Sequence, residues 1–169
     1  MEHLVNEVDS AFDALIQTLA TVEDDQLNKI STSGSWSAGQ VAQHLVLANE
    51  SFINLLSGEV DDTSRPIDLM QAKLKEILLD LSLKMDAPPF VYPEPSDYDK
   101  NLLLAKLQDL KMKLIDEVKS LDLSKTCKGF ELPGMGFITR LEAIYFMIYH
   151  TQRHTSQLAN IMHATKVIV

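Results

Sequence analysis

Two histidines, His150 and His154, stand one helical turn apart in a stretch whose core-type positions recur every three or four residues: Ala143, Met147, His150, His154, Leu158 and Ile161. Residues spaced in this way lie along one stripe of an α-helix, and an apolar stripe faces the core. Imidazoles therefore occupy two positions where the pattern calls for Leu or Ile, and neighbours four apart can place both rings on one ion. A second inward stripe, Val41, His44, Leu45, Ala48, Phe52 and Leu55, carries a third imidazole. Each motif alone has a plain alternative: a lone inward His such as His44 is more often a hydrogen-bonded core residue than a ligand, and the His-x-x-x-His spacing of His150 and His154 arises by chance about as often as by function. Together they ask for one explanation. Three imidazoles buried without partners are costly, whereas a single divalent ion satisfies all three lone pairs at about 2.0–2.1 Å. Zn, Ni, Fe and Mn all accept imidazole, so the donor set implies one divalent ion without choosing it. A three-histidine set leaves open positions, as catalytic sites do, and an ion there lowers the pKa of bound water to about 7 or holds a deprotonated thiol.

Positioning these side chains takes long helices. Leu4, Val8, Phe12, Leu15 and Leu19 mark one face of a first helix expected from about Leu4 to Ile30, and Ser31–Ser35 breaks it. Ser37 with Gln40 three residues later is a capping box, and Trp36 is placed to staple onto Val41, so a second helix runs from there to about Ser57. Gly58 to Pro66 is acidic and turn-rich, and Ile67 to Leu83 reads as a shorter helix. Four of the six prolines fall between Asp86 and Asp97, which forbids helix and predicts an extended crossover held by its aromatics. A helix from about Tyr98 to Leu121 turns Leu103, Leu107, Leu110, Leu114 and Val118 inward and its lysines outward. Ser124 to Gly136 is read as loop, after which the capping box Thr139-Arg140-Leu141-Glu142 opens the last helix, ending near His163. The fold class expected is all-α: one domain over residues 1–169, a four-helix bundle with one long crossover and an extra short helix.

Composition narrows the function. The 169 residues, 46% hydrophobic, suffice for one core and not two. A net charge of −9 with no basic footprint disfavours nucleic acid and anionic membrane surfaces. The segment Met1–Glu7 lacks the pattern of a signal peptide, and the longest apolar run, Ala143–Tyr149, is far short of the ~20 residues of a membrane span, so a cytoplasmic location is expected. Cys127 is the single cysteine, which excludes an intrachain disulfide. Lys125 and Lys128 beside it would favour a thiolate, but its surroundings offer no relay partner and it reads as an inert thiol. His3 and His163 lie near the ends and are left out of the site. Gln40, one turn before His44, either caps its helix or orients that ring, and the cap is the reading preferred. Gln157, one turn after His154, is the other candidate to support a ligand. Arg153 reads as a salt-bridging residue, and Tyr145 and Tyr149 likewise carry no assigned chemistry.

The two blocks Trp36-Ser37-x-x-Gln40-Val41-x-x-His44-Leu45 and Tyr149-His150-Thr151-Gln152-Arg153-His154-x-x-Gln157-Leu158 resemble the DinB/YfiT-like superfamily. That resemblance implies a four-helix bundle and a three-histidine metal site, with the family's helix-two ligand falling on His44 and its last-helix pair on His150 and His154. Many relatives carry Glu where this chain has Gln40, which removes an acid/base role there. Characterised relatives include bacterial S-transferases and isomerases that use mycothiol or bacillithiol, and others called hydrolases. The expected function is accordingly a metal-dependent transfer using a low-molecular-weight thiol on a small-molecule substrate, with a metal-dependent hydrolase as the alternative. A non-catalytic helical module fastened by a structural metal is the rival of a different class. No catalytic side chain is assigned. A homodimer is expected from bundle precedent alone.

Overall fold

The computed structural model describes residues 1–30 and 35–166. Four long helices form the bundle: α1 (Glu2–Ala20), α2 (Ala38–Leu56), α4 (Lys100–Ser120) and α5 (Arg140–Lys166). A short α3 (Gln71–Leu79) lies in the connection between α2 and α4 and packs on α5. Both α1 and α2 pack against α4 and α5, so the site-bearing pair α2 and α5 are adjacent. The predicted stripes are the buried ones: Leu4, Val8, Phe12, Leu15 and Leu19 on α1, and Leu103, Leu107, Leu110, Leu114 and Val118 on α4. No described helix is long and apolar enough to cross a membrane.

The first helix stops ten residues earlier than expected, at Ala20 rather than Ile30. Glu23, Asp24 and Asp25 would lengthen it with negative charge at the end where the helix dipole is already negative. Thr21 closes the helix instead, its hydroxyl donating to Thr18 O at 2.7 Å. Val22 and Leu27 are nonetheless buried, which is why the apolar pattern continues beyond the helix. This turn fixes the start of α2. Asn28 bonds the backbone of Tyr98 in both directions at 3.0 Å, and Gly39 N–H donates to Leu27 O at 2.8 Å. A Cβ on Gly39 would lie 2.7 Å from Asn28 Oδ1, so the approach requires glycine. The predicted break at Ser31–Ser35 falls, but for Ser35, outside the described residues.

The segment read as loop between α4 and α5 holds most of a small antiparallel sheet, ordered β1 (Val60–Asp61), β2 (Thr126–Leu132) and β3 (Gly136–Thr139). Val60 pairs with Cys127, and Leu132 with Gly136. The hairpin turns on Pro133 and Gly134, with Gly134 at φ +73° and Met135 N–H donating to Leu132 O at 3.0 Å, a type II turn. Pro-Gly was visible in the sequence, but β2 alternates poorly, with Gly129 in its middle. The sheet is minor and leaves the bundle class intact.

Helix α3 is also shorter than the Ile67–Leu83 expected. Its entry is held off-helix by Thr139, whose hydroxyl donates to Ile67 O at 2.6 Å. Asp80 ends it by accepting from Ser82 N–H at 2.9 Å, the local competition by which Asp breaks helices. On α4 the lysines are not all outward: Lys111 is buried against α1, 2.9 Å from Asp9 and 2.7 Å from Asp13.

The start of α5 is set by Glu142, fully buried. It accepts from Thr139 N–H at 2.9 Å while Thr139 Oγ1 accepts from Glu142 N–H at 3.1 Å, completing the predicted capping box. The same carboxylate accepts from Met70 N–H and takes both guanidinium nitrogens of Arg65 at 2.6 and 2.7 Å. Burial pushes the Glu142 carboxyl up, but Arg65 and the backbone donors of Thr139 and Met70 outweigh it and hold it below its ordinary value. The ion pair's contribution is therefore complete above the unfolded carboxylate pKa and is lost as pH falls through the lowered folded one. Glu142→Ala removes the charge partner of Arg65, which keeps only backbone oxygens, and leaves the backbone donors of Thr139 and Met70 unpaired, so urea unfolding should show a loss of about 3 kcal/mol. A loss under about 1 kcal/mol, the size of a surface ion pair, would show that this junction does not hold the end of α5.

Candidate metal centre

Ser37 opens α2 with the box expected of it: its hydroxyl accepts from Gln40 N–H at 3.2 Å, and Gln40 Oε1 accepts from Ser37 N–H at 3.0 Å. Seven residues after the cap, His44 points into the bundle and is 3% exposed. Facing it on α5 are His150 and His154, the latter buried and the former partly open. The rest of the predicted α5 stripe, Ala143, Met147, Leu158 and Ile161, is buried with them. His150 Nε2 lies 3.2 Å from His44 Nε2 and 3.0 Å from His154 Nε2. One nitrogen from each ring falls within 4.8 Å of the others, and among the described residues this is the group of metal-ligating side chains so arranged.

What lies behind each ring decides which nitrogen faces the centre. His44 Nδ1 is 2.8 Å from the backbone oxygen of Val91, an acceptor only, so Nδ1 carries the proton and donates. Its Nε2 then presents a lone pair. His154 Nδ1 stands 2.7 Å from Gln157 Oε1 and donates in the same way, leaving a second Nε2 lone pair aimed inward. His150 sits between the two, and a proton on its Nε2 can serve only one neighbour. Without a cation at least one inward lone pair is unmatched.

The rings are neutral. Burial lowers the pKa of His44, against the opposing pull of the Val91 carbonyl. Burial, followed by the repulsion of His154, His44 and Arg153, holds His150 well below its ordinary value. His154 is brought down to about 3, by burial first and then by His44, with Gln157 opposing.

The donor set fits a divalent ion. Ligands at about 2.0–2.1 Å stand roughly 2.9 Å apart at right angles and roughly 3.4 Å apart at tetrahedral angles. The two separations from His150 Nε2, 3.0 and 3.2 Å, fall between these, and all three nitrogens lie within 4.8 Å of one another. A proton on His150 Nε2 accounts for one of these two contacts and leaves the other without a donor.

The triad forms part of the wall of a cleft of about 1130 Å³. Gln40 is engaged in the cap, so of the two roles considered for it the structure shows the cap and not a bond to His44. Gln157 contacts His154. Among the described residues Arg153 makes no salt bridge: it donates to the backbone oxygens of Leu78 at 3.2 Å and Asp80 at 2.7 Å and to Leu83 O, tying the segment after α3 to the helix that carries His150 and His154. Tyr145 stacks on Tyr149, whose hydroxyl accepts from Gln71, and neither residue lines the cleft. Burial pushes the Cys127 thiol up to about 11, so the flanking lysines do not make it a thiolate. His3 faces Glu7 at 3.7 Å.

Two contacts escaped sequence reasoning. Val91 orients His44 through its backbone, which no side-chain pattern advertises, although the proline-rich crossover that presents it was evident. Pro89–Val91 forms a single 3-10 turn there, anchored by buried Val91 while Phe90 and Tyr92 remain exposed, the reverse of the aromatic anchoring expected. Trp36, packed against the core cluster that includes Val41, also lies 5.0 Å from the His44 ring and edge-on to Tyr92, contacts the sequence did not suggest.

Two solved structures share this architecture. One is TT2238, a four-helix bundle protein, 19% identical, with a TM-score of 0.59 over 94% of this chain and 98% of that one. The other is YfiT from Bacillus subtilis, described as a probable metal-dependent hydrolase with an unusual four-helix bundle topology. It is 17% identical, with a TM-score of 0.60 over 98% of this chain and 87% of that one. No curated protein matches the sequence. The family model of the DinB superfamily matches residues 7–158, from within α1 to beyond His154, and on that match the chain belongs to the DinB superfamily.

Proposed function

We propose that the protein is a divalent-metal-dependent enzyme in which His44, His150 and His154 hold one ion, and that it transfers a low-molecular-weight thiol to a small electrophilic substrate. The observation that carries this reading is the convergence of three neutral imidazoles, 3.0 and 3.2 Å apart at Nε2, on the wall of an open cleft. When bound, a divalent ion supplies Lewis acidity that favours deprotonation of a thiol or water beside it. The chain's own residues hold and aim: Val91 O and Gln157 Oε1 fix the tautomers of two ligands, and Arg153 keeps the cleft wall against α5. The ligand set is uncharged, which suits an anionic sulfur. In the transfer the thiol proton passes to water, the sulfur lone pair forms a bond to the electrophilic carbon, and the leaving group departs with the bonding pair. Among the described residues the carboxylate lining the cleft is Asp86, at its exposed rim.

Hydrolysis is the second reading, and the likeness to YfiT, described as a probable metal-dependent hydrolase, is what favours it. A purely structural metal is less apt, because a site on an open cleft keeps room for substrate whereas structural sites are closed by a fourth protein ligand.

Three outcomes test the reading. His44→Ala, His150→Ala and His154→Ala should each abolish stoichiometric metal in elemental analysis, and Gln157→Ala should weaken affinity about tenfold or more while keeping the ion. Full metal retention in any histidine variant would remove that residue from the site. The pH dependence follows from the lowered pKa values. An unfolded imidazole takes up its proton near 6.5, the folded ones well below it, so the metal-free protein loses stability as pH falls from about 6.5. Proton competition in the folded site starts correspondingly late. Chelator competition should therefore find affinity flat from about pH 8 to below 6.5, lower than free imidazole would allow, with release accompanying acid unfolding. Release near pH 6.5 with intact circular dichroism would contradict this. Finally, metal-loaded protein assayed with electrophiles should turn over only with bacillithiol, mycothiol, glutathione or cysteine present, and not as His44→Ala. Thiol-independent cleavage of esters or amides, lost in the same variant, would establish the hydrolase instead.

A further inference from the structure

The chain has six Phe, four Tyr and one Trp, and more than half of these aromatic residues line the one cleft. They come from separate elements: Trp36 before α2, Phe52 within it, Phe90 and Tyr92 on the crossover, Phe130 on β2 and Phe146 on α5. Two runs of rings end on candidate ligands. Phe52 stacks on Phe146 at 4.4 Å and 12°, and Phe146 stacks on His150 at 5.3 Å. On the other side Tyr92 meets Trp36 edge-on at 5.5 Å, and Trp36 lies against His44. Phe90 and Tyr92 remain 59% and 51% exposed at the mouth, with Phe130 6.1 Å from Phe90.

The polar side chains inside the cleft are largely spent. Ser51 donates to Leu47 O, Gln157 holds His154, and Arg153 is taken up by backbone oxygens. Lys84, Asp86 and Asn160 stand at its exposed edge. A phosphate or a sugar would find few free donors within, whereas a flat apolar group would stack between ring walls that lead to the metal ligands.

We propose that the substrate carried to the triad is a planar, apolar ring compound, bound between the Phe52–Phe146 and Tyr92–Trp36 walls. This rests on the cleft being the substrate site, but not on which nucleophile or ion operates there. A chemical consequence is that the electrophilic carbon sits on or next to the ring, since the walls end at His150 and His44 themselves.

The single tryptophan reports on the site directly. The protein as purified, and again after chelation, is titrated with the neutral probe N-phenyl-1-naphthylamine while Trp36 emission is followed. Saturable quenching of Trp36 with a matching rise in probe emission is expected in both forms, with no response to sucrose. The double variant Phe90→Ala with Phe52→Leu should weaken binding about tenfold while melting temperature and metal content stay as in the parent. Phe90→Ala alone, exposed in the parent, guards against a folding defect and should weaken binding by a smaller factor. Absence of a saturable Trp36 response, or undiminished affinity in the double variant, would overturn the proposal. So would a monomer–dimer equilibrium abolished by Phe90→Ala, which would assign the aromatic mouth to a second copy of the chain. Binding is read here without turnover, so failed thiol chemistry would leave the ring site standing, and a failed titration would leave the metal chemistry standing.

Discussion

Everything near the centre of this bundle answers to one constraint: three imidazole nitrogens share a small buried space with too few protons to satisfy them. Val91 O and Gln157 Oε1 take the outer protons of His44 and His154, so both inner nitrogens are acceptors. His150 can donate to one of them at most. An unmatched buried acceptor costs about 1–3 kcal/mol, and protonation is barred because burial and mutual repulsion disfavour an imidazolium there. A cation held by the three would resolve what neither protons nor packing can.

The rest of the structure can be read as the apparatus for that crowding. α2 must begin where it does for His44 to meet α5, and its start is fixed by the Ser37–Gln40 box and by the Asn28–Gly39 approach. α5 must begin where it does for His150 and His154 to meet α2, and the buried Glu142 sets that end through Thr139, Met70 and Arg65. Arg153, between the two histidines in sequence, spends its charge on the backbone beyond α3 and so couples the ligand helix to the wall of the cleft. A helix register error of one residue at either end would turn the imidazoles about 100° away from one another.

Periodicity and caps made the helices, the bundle and the histidine stripe legible in the sequence, because both are local rules written in side chains. Helix ends were less so. The apolar pattern runs past Ala20 because Val22 and Leu27 bury from a turn as well as a helix would allow, and only the acidic run between them marks the stop. The sheet was illegible because β2 carries Gly129 and alternates weakly, although Pro133-Gly134 announced its turn. At the site, the three histidines and Gln157 could be picked out by spacing, while the bond from His44 to Val91 belongs to the backbone of a distant crossover and leaves no trace in residue type. The aromatic cleft is illegible for a related reason: its rings come from separate elements and only tertiary structure assembles them.

Whether the three imidazoles hold an ion is decided by X-ray absorption spectroscopy of the protein purified without added metal. One ion per chain is expected, with three imidazole nitrogens around it at about 2.0–2.1 Å and the outer scattering that histidine rings produce. A metal-free sample that also refuses Zn, Ni, Fe and Mn, or a first shell built from carboxylate oxygen or sulfur without three imidazoles, would contradict it.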